Sequence, residues 1–476
     1  MTGEHMSPEE FRRLGHEYVD WVASYWERVA ELPVQSTVAP GEVFRSLPDG
    51  PPATGAEGLA GVLADVDDLV MPGITHWQHP SFFAFFPANT SGPAVLADLL
   101  SSGLGVNGMN WATSPACTEV EMRMLDWFVE LLGLPAHLRH DHDGPGGGVL
   151  QDSASSSTLV AMLAARGRVS GGGDLSKLRA YTSDQAHSSV VKGARVAGLA
   201  DDQVRLIATD AAFAMRPDAL ADAIEGDLDA GLVPFFCCAT AGTTSSMAFD
   251  PVSAIAEICA AAGVWCHVDA AMAGSAAVCP ELRWVNEGAD QADSWSFNPH
   301  KWLFTTFDCT CLWFRDARPV VDALSITPAY LRNEQSEAGA VIDFRDWQVP
   351  LGRRFRALKP WLVMRHYGAD GLATHIREHV RLGRLLADRV LDDPRFELAA
   401  PPALNLVVLR LTGADADVRT SALLEAVNAS GEALLTGTVL DGRPAMRICV
   451  GQTWTTEAHV DALWDLLDEC LAGSTP

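Results

Sequence analysis

The chain has 476 residues, 48% hydrophobic and 20% charged, and its 34 lysines and arginines against 61 aspartates and glutamates give a net charge of -27. That profile is globular and excludes disordered, collagenous and coiled-coil chains. So acidic a chain also excludes general attraction to phosphate backbones or anionic lipid, so no nucleic-acid and no membrane partner is expected.

Ser7-Pro8-Glu9-Glu10 carries a helix-opening signature: an N-cap hydroxyl, proline at the first helical position and glutamate three residues after the serine. Phe11, Leu14, Tyr18, Trp21, Tyr25, Val29 and Leu32 then recur at helical spacing up to Pro33. A face this aromatic has to be covered, either by its own core or by a second subunit. Residues 33–52 are rich in Pro, Gly, Ser and Asp and read as a connector. From about Ser91 to Asp316 helices alternate with short β-rich runs. Helices are predicted at 94–100, 119–132, 157–166 and 252–262, the last closed by Gly263. Strands are predicted at 149–151, 179–182, 204–207, 233–236 and 264–268, and the alternation implies an α/β domain with a mostly parallel sheet. After Lys359-Pro360 a long helix spans 362–391 with a break near 368–371. Strands at 406–411 and 445–450 and a helix at 460–471 complete a small α+β C-terminal domain.

The N-terminus lacks a basic region followed by an apolar core, and none of the ten cysteines forms a Cys-x-x-Cys pair. Buried reduced thiols in a cytoplasmic protein are therefore expected. Two strings mislead. Gly103-Leu104-Gly105-Val106-Asn107-Gly108 matches a dinucleotide fingerprint, but a helix precedes it where a strand is required. Arg139-His140-Asp141-His142-Asp143 has no metal-ligand spacing and reads as a solvated loop, so no metal is expected.

Three segments suit one cofactor. Ser294-Trp295-Ser296-Phe297-Asn298-Pro299-His300-Lys301-Trp302 places a lysine at the end of a strand in an apolar, aromatic setting. Such a setting lowers an amine pKa and fixes its position, as a Schiff-base lysine requires. His267-Val268-Asp269-Ala270-Ala271 places a carboxylate at a strand's C-terminal end, able to pair with a pyridinium nitrogen, with small residues leaving room for a flat ring. Gln151-Asp152-Ser153-Ala154-Ser155-Ser156-Ser157-Thr158 follows a strand and opens a helix, a phosphate cradle. Together they supply what pyridoxal 5'-phosphate needs: partners for its aldehyde, its ring nitrogen and its phosphate.

Ser183-Asp184-Gln185-Ala186-His187-Ser188-Ser189, Asn298-Pro299-His300-Lys301, Pro350-Leu351-Gly352-Arg353-Arg354-Phe355-Arg356 and Trp111-Ala112-Thr113-Ser114-Pro115-Ala116-Cys117-Thr118-Glu119 resemble the group II pyridoxal-phosphate decarboxylases, most closely the aromatic-L-amino-acid decarboxylases. The resemblance runs from about Met6 to near the C-terminus. It implies the fold-type I, aminotransferase-like fold, as a homodimer with its active site at the subunit interface. Residues 1–90 would then be an N-terminal helical dimerisation arm, 91–360 the large cofactor-binding domain and 361–476 the small C-terminal domain. It further implies Lys301 as the Schiff-base lysine, Asp269 on the pyridine nitrogen, His187 on the ring face, and Ala154, Ser155 and Asn298 on the phosphate, with Thr244 and His300 nearby. Tyr330 would reprotonate the substrate carbon.

The implied activity is decarboxylation of an aromatic L-amino acid, with tryptophan, phenylalanine, tyrosine and DOPA as candidates. The alternative is an aromatic aldehyde synthase on the same scaffold; such enzymes replace one residue of the Tyr330 and His187 pair, and both are present here. Trp77, Phe85, Phe86, Pro87 and Ala88 would line the substrate pocket, with Asn107, Met109, Gly352 and Arg353. Ala88 stands where animal relatives carry a threonine near a catechol, and Asn107 and Met109 where they carry larger apolar groups. The missing hydroxyl partner weakens strict catechol recognition.

Overall fold

The computed structural model describes residues 5–52, 59, 61–170, 173–326 and 341–473. Ser7 caps the first helix, α1 (Pro8–Arg28), its Oγ accepting the Glu10 N–H at 3.1 Å. Leu14 is the only buried residue of α1; Tyr18, Trp21 and Tyr25 are half-buried and Phe11 stays 57% exposed, so this chain covers the aromatic face only in part. Trp21 Nε1 and Arg28 both donate to the Asp67 carboxylate, at 3.1 and 2.6 Å, which ties α1 to the segment that follows the connector.

Seven strands form the large sheet: β1 (Gly147–Gln151), β2 (Leu178–Ser183), β3 (Val204–Ile207), β4 (Val233–Thr240), β5 (Trp265–Asp269), β6 (Ser294–Phe297) and β7 (Thr310–Phe314). Their order is β1-β7-β6-β5-β4-β2-β3. Neighbours pair in parallel from β6 to β3, while β7 is antiparallel to both β6 and β1. The sequence reading missed β7 because an antiparallel insertion breaks the strand-helix alternation on which that reading rests. Successive residues of β4 divide between two apolar cores, Cys237 and Ala239 on one face and Phe236 and Cys238 on the other. A sheet covered on both faces needs such continuous apolar strands. Four of the ten cysteines, Cys237, Cys238, Cys266 and Cys311, lie in these strands, and nine of the ten are buried.

Helix α2 (Gly92–Leu104) ends at Gly105 with φ +61, so the Gly103–Gly108 string closes a helix rather than opening one. Helices α3 (Pro115–Leu132), α4 (Ala154–Ser170) and α5 (Val252–Ala262) pack on the sheet, α5 stopping at Gly263 as expected. Helix α6 (Leu358–Asp392) breaks at Gly368, with φ +65 and ψ 174. The small sheet is antiparallel: β8 (Phe396–Leu398), β9 (Leu406–Leu411), β10 (Thr436–Leu440) and β11 (Arg443–Cys449), in the order β10-β11-β9-β8.

The solvated-loop reading of 139–143 needs correction at His140. Its Nε2 lies 2.8 Å from Gly148 O and its ring packs on Phe344 and Trp347, while Asp141 stays at the surface paired with Arg139. Among the described residues no three potential ligands gather to hold a metal, and no helix is long and apolar enough to cross a membrane.

Candidate active site

Strands β1, β2, β4, β5 and β6 point the same way, so the residues after their C-terminal ends meet at one edge of the sheet, where open α/β sheets bind ligands. β1 leads into the N-terminus of α4, with Ala154 and Ser155 in its first turn. The N–H groups of a first turn lack partners within the helix and face an anion. β2 leads to His187. β4 leads through Gly242, at φ +91, to Thr244. β5 ends on Asp269, and β6 ends just before Asn298, His300 and Lys301.

Asp269 is buried, and its Oδ1 accepts the Ala271 N–H at 2.9 Å. Asn298 is also buried and its Oδ1 has no hydrogen-bond partner among the described residues. Lys301 is half-buried, its Nζ 5.0 Å from the centre of the Phe86 ring. Removal from water lowers its amine pKa, opposed by the Asp269 charge and assisted by Arg447. His300 accepts the Cys309 N–H on Nδ1 at 2.9 Å, and burial pushes its pKa down to about 3, so the ring is neutral. His187 accepts the Ser189 N–H on Nδ1 at 3.2 Å, which leaves Nε2 as the protonated nitrogen of the neutral ring. Desolvation and the Lys301 charge both lower its pKa.

A cavity of about 550 Å³ opens beside Lys301. Of the residues singled out in the sequence, Trp77, Phe85, Phe86, Pro87, Ala88, His187, Thr244, His300 and Lys301 all line it. Trp77 and Phe85 stack with centroids 5.5 Å apart and planes 12° apart. Sequence reasoning missed a further part of the lining, which the small sheet supplies: Thr436, Thr438 and Arg447. Arg447 is 2% exposed, its Nη1 lies 3.5 Å from Phe85 O, and its Nε and Nη2 have no partner among the described residues. Its Cζ sits 5.2 Å from the centre of the same Phe86 ring that Lys301 approaches. A signal was present in the sequence, a lone arginine within the apolar run Ala445–Val450.

Asn107, Met109, Gly352 and Arg353 are not among the residues lining this cavity and form a separate cluster. Asn107 Oδ1 accepts the Arg353 N–H at 3.0 Å, and Met109 O accepts the Arg345 N–H at 2.9 Å. The Arg353 guanidinium is occupied by Glu121, Gln348 and Leu150 O, so within this chain it is not available to a substrate carboxylate. Tyr330 lies outside the described residues.

The pyridoxal-dependent decarboxylase conserved domain matches residues 40–412. Over 474 residues, 98% of this chain and 96% of the relative, the chain is 44% identical to phenylacetaldehyde synthase of Arabidopsis thaliana. It is 42% identical to tryptophan decarboxylase 2 of Oryza sativa subsp. japonica, over 97% of this chain and 94% of that one. The crystal structure of Oryza sativa TDC with PLP and tryptamine superposes with a TM-score of 0.97 at 39% identity, covering 100% of both chains. The residues present fit pyridoxal 5'-phosphate on their own chemistry. Lys301 offers a desolvated amine, Asp269 a buried carboxylate, α4 a helix N-terminus with Ala154 and Ser155 in its first turn, and Asn298 a buried oxygen without a partner among the described residues. The chain therefore belongs to the group II pyridoxal-phosphate-dependent decarboxylases, within the aromatic amino acid decarboxylase and aldehyde synthase family, and is a carboxy-lyase of fold-type I.

Proposed function

We propose that this enzyme converts an aromatic L-amino acid, from among tryptophan, phenylalanine, tyrosine and DOPA, to the arylalkylamine and carbon dioxide. One observation carries the reading: a single cavity joins Lys301 to the Trp77, Phe85 and Phe86 wall and to the buried guanidinium of Arg447, whose Nε and Nη2 have no partner among the described residues. A flat apolar side chain is desolvated against the aromatic wall. The α-carboxylate gives Arg447 the charged partner that the protein does not. When bound, pyridoxal phosphate supplies an aldehyde carbon for an amine and a ring that accepts electrons. Lys301 would hold that aldehyde, Asp269 would pair with the ring nitrogen, His187 would lie beside the ring, and Ala154, Ser155 and Asn298 would take the phosphate. Thr244 and His300 complete the cavity floor. Tyr330 returns a proton to the substrate carbon, a role that rests on the resemblance alone.

The active form we propose is a cytoplasmic homodimer with its sites at the interface. Leu96, Leu99, Leu100 and Leu104 of α2 and Phe11 of α1 stand exposed and need a cover, and the nine buried thiols suit a reducing compartment. The 44% identity to a phenylacetaldehyde synthase keeps one second reading, oxidative deamination to an aldehyde. Loaded enzyme is mixed separately with tryptophan, phenylalanine, tyrosine, DOPA and glutamate, and carbon dioxide, amine, ammonia and peroxide are measured. Amine equal to carbon dioxide on an aromatic substrate is expected. Aldehyde with ammonia and peroxide selects the second reading, and turnover of glutamate alone rejects both.

A further inference from the structure

Phe82 pairs with Leu434 in an isolated parallel bridge. Leu434 N–H donates to Ser81 O at 3.2 Å, and Phe83 N–H donates to Leu434 O at 3.0 Å. The next rung of a parallel ladder would carry the Phe85 N–H to the backbone carbonyl of residue 436. The Thr436 side chain takes it instead, Oγ1 accepting at 2.7 Å. The Phe83 carbonyl, which would accept from Thr436 N–H, is taken by Cys449 N–H at 2.9 Å. Released from the ladder, Phe85 turns to φ +53, left-handed backbone that a bulky residue keeps only where its surroundings hold it. That turn lays its ring on Trp77 at the cavity wall, with 49% of the residue exposed. Thr436 faces Arg447 across the β10–β11 register, so one cross-strand pair of the small sheet reaches both the N–H and, at 3.5 Å, the carbonyl of Phe85.

We infer that Thr436 is a specificity-positioning residue: its hydroxyl holds Phe85 in the turned conformation and so sets the aromatic wall that binds the substrate side chain. The inference rests on the aromatic-substrate reading above and assigns that selectivity to a residue of the small sheet. It acts on substrate affinity and leaves the bond-breaking step alone, because the hydroxyl is engaged with the Phe85 backbone.

The test uses pyridoxal-phosphate-loaded wild type, Thr436→Val, Thr436→Ser, Phe85→Ala and the Thr436→Val/Phe85→Ala double variant, each with tryptophan and with the best aromatic substrate of the wild type. Valine keeps the volume and loses the acceptor; serine keeps the acceptor. Loss of one hydrogen bond of ordinary net strength predicts a KM raised roughly fivefold in Thr436→Val, with kcat within about twofold, and recovery in Thr436→Ser. On the Phe85→Ala background Thr436→Val adds nothing, because both substitutions remove the same wall. Should Thr436→Val lose its thermal unfolding transition, Thr436→Ala removes the same oxygen and replaces it throughout. An unchanged KM overturns the inference, and so does a KM effect that persists in full without the Phe85 ring, since Thr436 would then touch substrate directly. A wild type that turns over no aromatic amino acid overturns the substrate reading and this inference with it, and that result is in hand before any variant is compared.

Discussion

Of the four buried arginines among the described residues, Arg353 and Arg447 have opposite surroundings. Arg353 donates to Gln348 Oε1 at 2.6 Å, to Leu150 O at 3.3 Å and to the Glu121 carboxylate, and lies over the Phe344 ring. Arg447 is as deep, yet its Nε and Nη2 meet no acceptor among the described residues. Burying a guanidinium without a partner is costly, so a fold keeps one only where something else pairs it. Both residues are strong cations in apolar surroundings; one is satisfied by the fold and the other faces a cavity beside Lys301. Burial therefore does not mark a functional charge. An unmet hydrogen-bonding capacity inside a cavity does.

The largest effect expected is on stability, at the paired arginine. Arg353→Met strands the Glu121 carboxylate, which is 5% exposed and also accepts the Leu150 N–H at 2.8 Å. Breaking one side of a buried pair costs about 3–5 kcal/mol, read as a lower denaturant midpoint. Adding Glu121→Gln should return part of that loss, and a single variant as stable as wild type would show that the pair contributes nothing.

Arg447→Met should do the reverse. Stability should hold or rise, because an uncompensated charge is removed. Losing charge-assisted bonds to the substrate carboxylate should cost about 2–4 kcal/mol in transition-state binding, on the order of a hundredfold in kcat/KM. The contrast sharpens with the arylalkylamine product, which lacks the carboxylate: its inhibition constant should stay within about twofold of wild type. Equal weakening of amino acid and amine would mean that Arg447 shapes the cavity instead of binding the carboxylate.

The same two arginines show what was legible in the sequence. Lys301, Asp269, His187 and the α4 N-terminus follow strand ends in a strand-helix alternation, so local pattern sufficed to place them on one edge. Arg447 required knowing that β11 returns to that edge from more than a hundred residues downstream, which no local pattern carries. A lone arginine in an apolar strand is not diagnostic either: Arg410 sits likewise in β9, and there Glu397 lies 3.4 Å away. Phe85 was named for its ring, but its turned backbone depends on where Thr436 lies across the fold. The errors share a cause. Strand β7 and the packed ring of His140 are tertiary outcomes, set by pairing partners and not by the residues themselves.

The smallest expected effect concerns histidine, where the same division between fold and cavity recurs. His79, His267, His300 and His379 are buried, with pKa values pushed by burial to about 4, 4, 3 and 4. His379 is held neutral by its job, Nδ1 accepting the Trp302 indole N–H at 2.9 Å. In the unfolded chain these rings bind protons near pH 6.5, while in the folded chain they do so only near pH 3–4. Between those limits the unfolded state carries more protons, so stability present above pH 6.5 is lost as the pH falls, by about 1.4 kcal/mol per pH unit for each such ring. His379→Gln keeps an acceptor for Trp302 and removes one titrating site, so proton uptake on unfolding at pH 5.5 should fall by about one. His187, exposed at the cavity edge, has a lowered pKa but lacks that depth, and His187→Gln should change the uptake by less. Equal changes for the two variants would mean that desolvation by the folded core does not separate the rings that support the structure from the one that faces the ligand.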